Sequence, residues 1–262
     1  MADNAYLSVK GITKRFGGIV AVEQVSFEIN KGEVVSIIGP NGAGKTTVFN
    51  MLTGVYQVDE GTIVFNGEEI QNKKPKHIVM AGMSRTFQNI RLFQDMRVIE
   101  NVLIGAHIKT SYSFLDSTFR TARYRKEEDE KVLQAIELLK SVGLEHRKDD
   151  YASNLPYGDQ RKLEIARAIA TGAGLLLLDE PAAGMNPKES EELMLFIRSL
   201  KQKGYTVLLI EHDMSVVMNI SDRIYVIDHG KPIAQGLPVE ITNNERVIEA
   251  YLGGVHKDAE DN

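Results

Sequence analysis

A glycine-rich segment near the start of the chain has the residue types and the spacing of a phosphate-binding loop. Residues 39–47 read Gly-Pro-Asn-Gly-Ala-Gly-Lys-Thr-Thr, which fits the pattern of Gly, any four residues and Gly-Lys-Thr. Glycines let the backbone bend tightly and bring its N–H groups against phosphate oxygens. A helix that begins near Gly44 adds the positive end of its dipole. Lys45 can reach the β and γ phosphates of a nucleotide, and Thr46 can offer a hydroxyl to Mg²⁺. The predicted ATP contacts in this loop are Asn41, Gly42, Ala43, Gly44, Lys45, Thr46 and Thr47.

Two carboxylates follow a short run of leucines in the last third of the chain. Leu175–Leu178 is followed directly by Asp179 and Glu180. The run predicts a strand that is buried on both faces, and ligands bind at the carboxyl ends of such strands in open α/β sheets. Asp179 can hold Mg²⁺ through water, and Glu180 can accept a proton from the attacking water. Together with the phosphate loop, the pair predicts a site that hydrolyses ATP with Mg²⁺ as cofactor.

The remaining pattern predicts the elements that position these residues. Residues 20–22, 25–29 and 33–38 are rich in branched side chains and are predicted as strands. Residues 62–70 are predicted as a hairpin around Asn66-Gly67, since this pair accepts the positive φ of a type I′ turn. The last third alternates between strands (175–178, 205–210 and 224–227) and helices (187–203 and 213–218), which is typical of a parallel sheet.

The middle of the chain reads as helical. Helices are predicted at residues 99–108, 127–142 and 159–170, and the second has apolar residues at spacings of three and four. Residues 109–125 between the first two are polar and rich in Ser and Thr, and are interpreted as a loop or irregular insertion. A terminal helix is predicted at 245–252.

Bulk properties exclude several classes of protein. The 262 residues carry 36 acidic and 31 basic side chains, a net charge of -5, without a long basic run. Nucleic acid is therefore not an expected partner, because neutralising phosphates needs clustered Lys and Arg. The chain has no cysteine, which excludes disulfides and thiolate metal sites. Neither a signal peptide nor an apolar run near the length of a bilayer is found, so attachment to a membrane would need another subunit.

Several motifs together resemble an ATP-binding subunit of ABC transporters. They are the phosphate loop, Gln88, Leu-Pro-Tyr-Gly-Asp at 155–159, Asp179-Glu180 and His212, in that family's order and spacing. Residues 85–93, 179–187, 211–214 and 221–226 look like the larger, LivG-type, ATPase subunit of branched-chain amino-acid importers. The resemblance covers residues 6–253. It implies an α/β P-loop NTPase cassette with a RecA-like core, an N-terminal antiparallel β subdomain and an α-helical subdomain at about residues 89–170. A flexible tail is expected at 254–262.

The resemblance also implies a role for each matching residue. Phe16 would stack on adenine, and Val22 would line the same pocket. Gln88 would sense the γ phosphate through Mg²⁺ and the attacking water, and His212 would hold the γ phosphate and that water. The implied catalytic set is Glu180, His212 and Gln88, the implied Mg²⁺ set is Thr46, Gln88 and, through water, Asp179, and the implied loop at the dimer contact is Gly184, Met185 and Asn186.

One motif departs from the family pattern. The signature loop, which normally reads Leu-Ser-Gly-Gly-Gln and binds the nucleotide of the opposite subunit, is Leu155, Pro156, Tyr157, Gly158 and Asp159 here. Proline has neither the serine hydroxyl nor an N–H, and a hydrogen bond to a charged group contributes about 1.5–3 kcal/mol. Asp159 adds a negative charge near a triphosphate. One hypothesis is that this loop completes the weaker of two sites. The alternative is that backbone N–H groups and Gly158 suffice.

The implied partners are a second ABC ATPase subunit, two transmembrane permease subunits and, indirectly, a substrate-binding protein. The dimer would be a heterodimer, or a homodimer in isolation, at the cytoplasmic face of the inner membrane. Residues 91–93 could dock a coupling helix of a permease, although Phe93 could instead be a core residue.

Other functions stay open at this stage. They are an importer of urea or short amides, a lipopolysaccharide-export ATPase, a translation or DNA-repair ABC protein and a non-hydrolysing regulatory subunit. A single cassette without a long coiled coil argues against the third, and the presence of Glu180, His212 and Gln88 argues against the last.

Overall fold

Two sheets and a group of helices make up the structure, a computed structural model that describes residues 5–257. The strands are β1 (Leu7–Phe16), β2 (Ile19–Ile29), β3 (Val34–Ile38), β4 (Glu60–Phe65), β5 (Glu68–Glu69), β6 (Met83–Arg85), β7 (Leu175–Asp179), β8 (Thr206–Ile210), β9 (Arg223–Asp228) and β10 (Lys231–Gly236). The helices are α1 (Lys45–Leu52), α2 (Pro75–Ala81), α3 (Val98–Ala106), α4 (Phe114–Thr118), α5 (Ala122–Ser141), α6 (Tyr157–Ala170), α7 (Pro187–Gln202), α8 (Met214–Ile220), α9 (Pro238–Thr242) and α10 (Glu245–Lys257). Short 3₁₀ turns lie at His107–Lys109, Glu145–Arg147 and Ala152–Asn154.

The smaller sheet is antiparallel and has the order β2-β1-β4-β5. The predicted hairpin at 62–70 is confirmed, with Asn66 and Gly67 at φ values of 49° and 81°. The two strands predicted at 20–22 and 25–29 are one continuous strand, β2, whose pairing with β1 shifts register between its halves. Gln24, which separated the two apolar runs in the sequence, adopts a positive φ of 51° inside the strand.

The larger sheet has the order β10-β9-β3-β8-β7-β6 and is parallel except for β10. Every residue of β3, β7 and β8 is buried, as their apolar runs predict. Along β7, Leu175 and Leu177 face the smaller sheet and α1, whereas Leu176 and Leu178 face the helices on the other side. A run of four leucines is therefore needed because both faces of the strand are covered.

The helical region lies on the second face of this sheet, where α3 packs against α5 and α6. The prediction of a loop over residues 109–125 is wrong, because the segment contains α4 and the first turn of α5. The hydroxyl of Ser113 accepts the N–H of Asp116, and that of Thr121 accepts the N–H of Tyr124. The Ser and Thr residues that suggested a loop are thus N-caps of two helices.

The end of the chain also differs from the prediction. Helix α10 runs from Glu245 to Lys257, so residues 254–257 of the predicted flexible tail are helical. Residues 258–262 lie outside the described residues. Within residues 5–257, every helix is too short or too polar to cross a membrane.

Candidate active site

The glycine-rich segment 39–44 is a tight loop that joins β3 to α1, and the predicted helix start near Gly44 is confirmed. Gly44 has a φ of 96°, and a Cβ there would lie 2.6 Å from the carbonyl oxygen of Ala21. A Cβ on Gly39 would lie 2.0 Å from the carbonyl oxygen of Ile227. Both positions therefore require glycine because the loop touches neighbouring backbone. The predicted contacts at 41–47 all line one cavity of about 530 Å³, together with Glu180.

Lys45 is buried at the base of this loop. Its Nζ donates hydrogen bonds to the carbonyl oxygens of Gly39 at 2.6 Å and Pro40 at 2.9 Å. Burial lowers the pKa of the ammonium, and the negative charges of Glu180 and Asp179 act in the opposite direction. The loop thus holds a cation against its own carbonyls, close to the carboxylates that end β7.

Three predicted catalytic side chains meet at the edge of the larger sheet. Gln88 follows β6, Glu180 follows β7 and His212 follows β8. The Nε2 of Gln88 donates to Oε2 of Glu180 at 2.7 Å, and Nδ1 of His212 lies 3.6 Å from the same oxygen. Glu180 has a positive φ of 45°, a conformation that costs energy for a non-glycine residue and is common at active sites. The parallel order of the strands brings these residues together although 124 positions separate Gln88 from His212 in the sequence.

Sequence reasoning missed Glu211, which lies beside this group. Its carboxylate is fully buried and accepts hydrogen bonds from the backbone N–H groups of Ala182 at 2.8 Å and His212 at 3.2 Å. Burial raises the pKa of Glu211, and these hydrogen bonds oppose that rise. The only signal in the sequence is an acid between a buried strand and His212. Glu211 therefore links the segment after Glu180 to the segment that carries His212.

The residues predicted to hold Mg²⁺ offer oxygen ligands of the kind this ion prefers. The hydroxyl-bearing Thr46 is exposed in the cavity, and Gln88 reaches Glu180 at its edge. Asp179 is buried and forms an ion pair with Arg85, whose Nη2 lies 2.5 Å from Oδ2. Among the described residues, no cluster of three or more His, Cys, Asp or Glu could hold a metal ion. A hydroxyl, an amide and a recessed carboxylate fit an ion whose remaining ligands are phosphate oxygens and water.

The predicted adenine contacts are only partly supported. Phe16 is 43% exposed at the turn between β1 and β2, with its ring 5.2 Å from that of Tyr56. Val22 is 0% exposed, so its predicted place in the base pocket is wrong. A Cβ on Gly44 would come within 3.2 Å of the Val22 side chain, which shows that this side chain packs beneath the phosphate loop instead. The cavity wall that Val22 was expected to form consists of Ile19, Val20 and Ala21.

The signature loop lies at the start of α6, with Pro156 as the exposed N-cap and Leu155 buried below it. Gly158 is partly buried in the first turn of α6. The hydroxyl of Tyr157 donates to the carbonyl oxygen of Ala183 at 2.9 Å. Asp159 lies 3.3 Å from Nζ of Lys162 and 4.0 Å from a guanidinium nitrogen of Arg147. These cations offset part of its charge.

The segment predicted at the dimer contact directly follows Ala183. Gly184 has a φ of 78°, and Met185 packs partly against the core. Asn186 is the N-cap of α7 and accepts the N–H of Glu189 at 3.0 Å. The signature loop and this segment are therefore joined within one chain.

A second residue that sequence reasoning missed is Arg161 on α6. Its guanidinium is fully buried and donates to the carbonyl oxygens of Phe87 and Gln88, both at 2.7 Å, and to Glu164 at 2.8 Å. Glu164 also accepts the N–H of Arg91 at 3.1 Å. The sequence offers one signal for this pair: two charged residues stand three positions apart on a helix face that is otherwise apolar. This ion pair ties the signature helix to the segment that carries Gln88.

Residues 91–93 border an open groove of about 440 Å³ between the sheet and the helical region. Phe93 is 49% exposed, so the alternative that it is a core residue is wrong. The guanidinium of Arg91 stacks 4.2 Å from the centre of the Phe87 ring, and Leu92 packs against the core. The groove therefore offers an aromatic side chain and cations at its rim.

Comparisons with known proteins agree with these motifs. The family model described as "ABC transporter" matches residues 22–183, and the one described as "Branched-chain amino acid ATP-binding cassette transporter" matches residues 231–257. The high-affinity branched-chain amino acid transport ATP-binding protein LivG of Salmonella typhimurium is 49% identical over 248 residues, which is 94% of this chain and 97% of that protein. BraF of Pseudomonas aeruginosa, which carries the same description, is equally similar over the same shares.

Solved structures give the same result. An ATP-binding cassette of an ABC transporter in its ADP conformation superimposes with a TM-score of 0.84 at 38% identity, covering 95% of this chain and 99% of that one. A dimeric ATP-binding cassette in a post-hydrolysis state, bound to ADP and phosphate, has a TM-score of 0.72 at 25% identity, covering 88% and 98%.

Proposed function

Since the chain belongs to the ABC transporter family of ATP-binding cassettes, we propose that it is the ATPase subunit of a branched-chain amino acid importer in which Glu180 activates the attacking water. Residues 6–253 form one cassette, with a helical subdomain at about 89–170. The observation that carries the assignment of Glu180 is its position, because it lines the cavity of the phosphate loop and contacts both Gln88 and His212. A regulatory subunit that does not hydrolyse ATP would not need these three side chains together.

The chemistry follows from the position of each side chain. Lys45 and the loop N–H groups bind the β and γ phosphates, which orients the γ phosphorus toward the edge of the sheet. Glu180 takes the proton from water as the water oxygen bonds to the γ phosphorus and the bond to the bridging oxygen of ADP breaks. Gln88 and His212 orient that water and the phosphate. Bound Mg²⁺ would neutralise charge on the phosphates, and Thr46, Gln88 and, through water, Asp179 would hold it.

Substitution of Glu180 tests this assignment. General-base catalysis contributes about 10²- to 10⁴-fold to rate, so Glu180→Gln should lower the kcat of ATP hydrolysis by at least about 100-fold. Binding of a fluorescent ATP analogue should change little, because the phosphate loop is intact. Glu191→Gln, at an exposed position of α7, is the matched control and should keep full activity. Retained turnover in Glu180→Gln would remove Glu180 from the role of base.

The assembly that we propose contains a second ABC ATPase subunit, two transmembrane permeases and, indirectly, a substrate-binding protein. Gly184, Met185 and Asn186 lie at the contact between the two ATPases, and the signature loop of each reaches the nucleotide of the other. The half-exposed Phe93 and the groove beside it support docking of a permease segment at residues 91–93. The subunit is then peripheral, at the cytoplasmic face of the inner membrane. The names of its relatives support branched-chain amino acids as the transported class.

A further inference from the structure

The ion pair between Arg85 and Asp179 is part of a larger bridge. The guanidinium of Arg85, the last residue of β6, donates through Nη2 to Oδ2 of Asp179 at 2.5 Å and through Nη1 to Oδ1 of Asn50 at 2.6 Å. Asn50 belongs to α1, the helix that begins at Lys45, whereas Asp179 ends β7. One side chain thus joins the helix of the phosphate loop to the strand that carries the predicted metal-side carboxylate.

This bridge is buried and has a defined orientation. Only 7% of the Arg85 side chain and 6% of the Asp179 side chain are exposed. Cζ of Arg85 lies 5.5 Å from the centre of the Phe49 ring on α1 and 5.1 Å from that of Phe87, which follows β6. The backbone of Arg85 is held as well, because Arg85 pairs with Leu177 in the parallel ladder of β6 and β7. These contacts leave the guanidinium little freedom to move.

The bridge connects the elements that carry two residues of the proposed Mg²⁺ set. Thr46 lies four residues before Asn50, which is about one turn of α1 and therefore the same face of the helix. At the other end of the bridge, Asp179 is itself a member of the set. The hydroxyl of Thr46 and the carboxylate of Asp179 are thus carried by two elements that Arg85 fastens together.

Apolar packing alone does not fix the spacing of these elements. The core on this face of the sheet includes residues of both α1 and β7, among them Val48 and Leu177, but apolar attraction has no preferred direction. The hydrogen bonds of Arg85 have defined lengths and angles, and its guanidinium presents the donors as a rigid planar fork. A lysine would supply the charge without the fork, because its ammonium is a point charge on a flexible stem.

A fixed spacing matters because divalent cations differ in the geometry that they accept. Mg²⁺ demands a near-ideal octahedron with ligands at about 2.0–2.1 Å, whereas Ca²⁺ accepts about 2.3–2.6 Å in a flexible arrangement. We propose that Arg85 is a positioning residue that sets the spacing between Thr46 and Asp179, and that it thereby favours Mg²⁺ over larger divalent ions in the nucleotide complex. This inference rests on the Mg²⁺ set proposed above, but not on the role of Glu180 as base.

Metal binding to a nucleotide complex without turnover tests the proposal. The dissociation constants of Mg²⁺ and Ca²⁺ are measured for the full chain saturated with a non-hydrolysable ATP analogue, by displacement of Mn²⁺ followed by electron paramagnetic resonance. Arg85→Lys keeps a cation beside Asp179 but loses the fork. Removing the partner of a metal-site residue lowers metal affinity about 10- to 100-fold, so this variant should bind Mg²⁺ at least about tenfold more weakly. Its affinity for Ca²⁺ should fall by a smaller factor, because Ca²⁺ tolerates a changed spacing.

Two further variants separate the bridge from the charge and from general packing. Asn50→Ala cuts the bridge at α1, leaves the ion pair with Asp179 in place and should show the same loss of preference for Mg²⁺. The matched control is Arg223→Lys, since Arg223 forms a comparable bridge elsewhere by donating to Oε2 of Glu33 at 2.7 Å and to the carbonyl oxygen of Glu28 at 2.9 Å. The control should keep both metal constants, and all three variants should bind the analogue without metal as the wild type does.

Several results would overturn the proposal. Equal weakening of Mg²⁺ and Ca²⁺ in Arg85→Lys would show that the spacing does not discriminate between the ions, and unchanged constants would show that Arg85 serves folding alone. Retained Mg²⁺ preference in Asn50→Ala would remove α1 from the bridge. Thr46→Ala tests the Mg²⁺ set by itself, and an unchanged Mg²⁺ affinity there would refute the set together with this inference. A failure of Glu180 as base would leave all of these constants unchanged, because none of them measures hydrolysis.

Discussion

Glu211 is a buried acid between two segments of the active site. The carboxylate can accept several hydrogen bonds and donates none when ionised, which suits a position where the N–H groups of Ala182 and His212 converge. Glutamine at this position would keep one acceptor oxygen but would turn an NH₂ group toward a backbone donor. Glu211 thus positions the backbone of Ala182 and His212 on either side of the candidate site.

The raised pKa of Glu211 predicts a specific pH dependence of stability. A group whose pKa is higher in the folded state stabilises the fold below its unfolded pKa, and this contribution is lost as pH rises through the folded pKa. Glu211→Gln should remove that loss. The free energy of unfolding of the variant minus that of the wild type, measured with denaturant, should therefore increase as pH rises above the ordinary carboxyl pKa of about 4.3. A difference that stays constant with pH would contradict the burial effect on Glu211.

At the scale of elements, a buried ion pair connects α6 to the segment after β6. Arg161 donates hydrogen bonds to the carbonyl oxygens of Phe87 and Gln88, so the signature helix and the residue with the proposed catalytic amide share one anchor. If α6 moves relative to the sheet, it must either break the hydrogen bonds of Arg161 or move the segment of Phe87 and Gln88 with it. The link supplies a physical route between the signature loop of a chain and the Gln88 of its own active site.

Arg161→Met tests this link. Methionine fills similar space but leaves Glu164 as an uncompensated buried charge, and breaking a buried pair costs about 3–5 kcal/mol. Arg161→Met with Glu164→Leu should recover the part of the unfolding free energy that was lost through the unpaired Glu164, although the backbone groups of Phe87, Gln88 and Arg91 still lose their partners. Both variants should nevertheless lose about tenfold or more in the kcat of ATP hydrolysis, with the affinity for ATP little changed, because Gln88 is no longer held. Full activity in the stable double variant would show that the pair serves folding alone.

Most elements near the site were predictable because a short sequence determines them. The runs that became β3, β7 and β8 are apolar throughout, since both faces of each strand are covered, and the glycines of the phosphate loop fit local backbone needs. By contrast, no residue of β10 is fully buried and the strand contains Pro232, so its pairing with β9 depends on the sheet edge and not on its own pattern. The prediction of a loop around α4 was wrong for a related reason. Its Ser and Thr residues are equally suited to a loop and to helix caps.

Sequence motifs predicted the side chains of the candidate site, but not the buried residues that hold those side chains in place. Glu180 was predicted from its place after a buried strand, and Gln88 and His212 from the resemblance to a known family. The structure brings the three within hydrogen-bonding or ion-pair distance. Glu211 and Arg161 have no motif, because their roles depend on backbone groups far away in the sequence. Val22 was misplaced since its burial beneath Gly44 is a tertiary contact.

At the scale of the whole molecule, the proposed dimer has each chain supply half of each of two sites. Its phosphate loop and Glu180 line one cavity, and the exposed Pro156 begins α6. The hydroxyl of Tyr157 joins the signature loop to Ala183, just before the segment proposed at the dimer contact. The signature loop is therefore held by a hydrogen bond next to the segment that we propose at the dimer contact.

The departure of the signature loop from the family pattern can be tested in the assembled transporter. Lys162 and Arg147 offset part of the charge of Asp159, so the missing hydroxyl at Pro156 is the larger defect. Pro156→Ser with Asp159→Gln should raise the ATPase rate by about tenfold if a hydrogen bond to the γ phosphate is restored. The single change Asp159→Gln should have the smaller effect. An unchanged rate in the double variant would mean that backbone N–H groups and Gly158 suffice.

The strand order β3-β8-β7 has a consequence for how far the base stands from the phosphate loop. The loop follows β3 and Glu180 follows β7, and β8 lies between them. Neighbouring strands are about 4.8 Å apart, so the backbone at these two strand ends is separated by about 10 Å. The two strand spacings between β3 and β7 thus leave room for a terminal phosphate and one water between the phosphate loop and Glu180. Substitutions can remove the side chains of the phosphate loop or of Glu180, but only a change of strand order would alter the distance between the backbones that carry them.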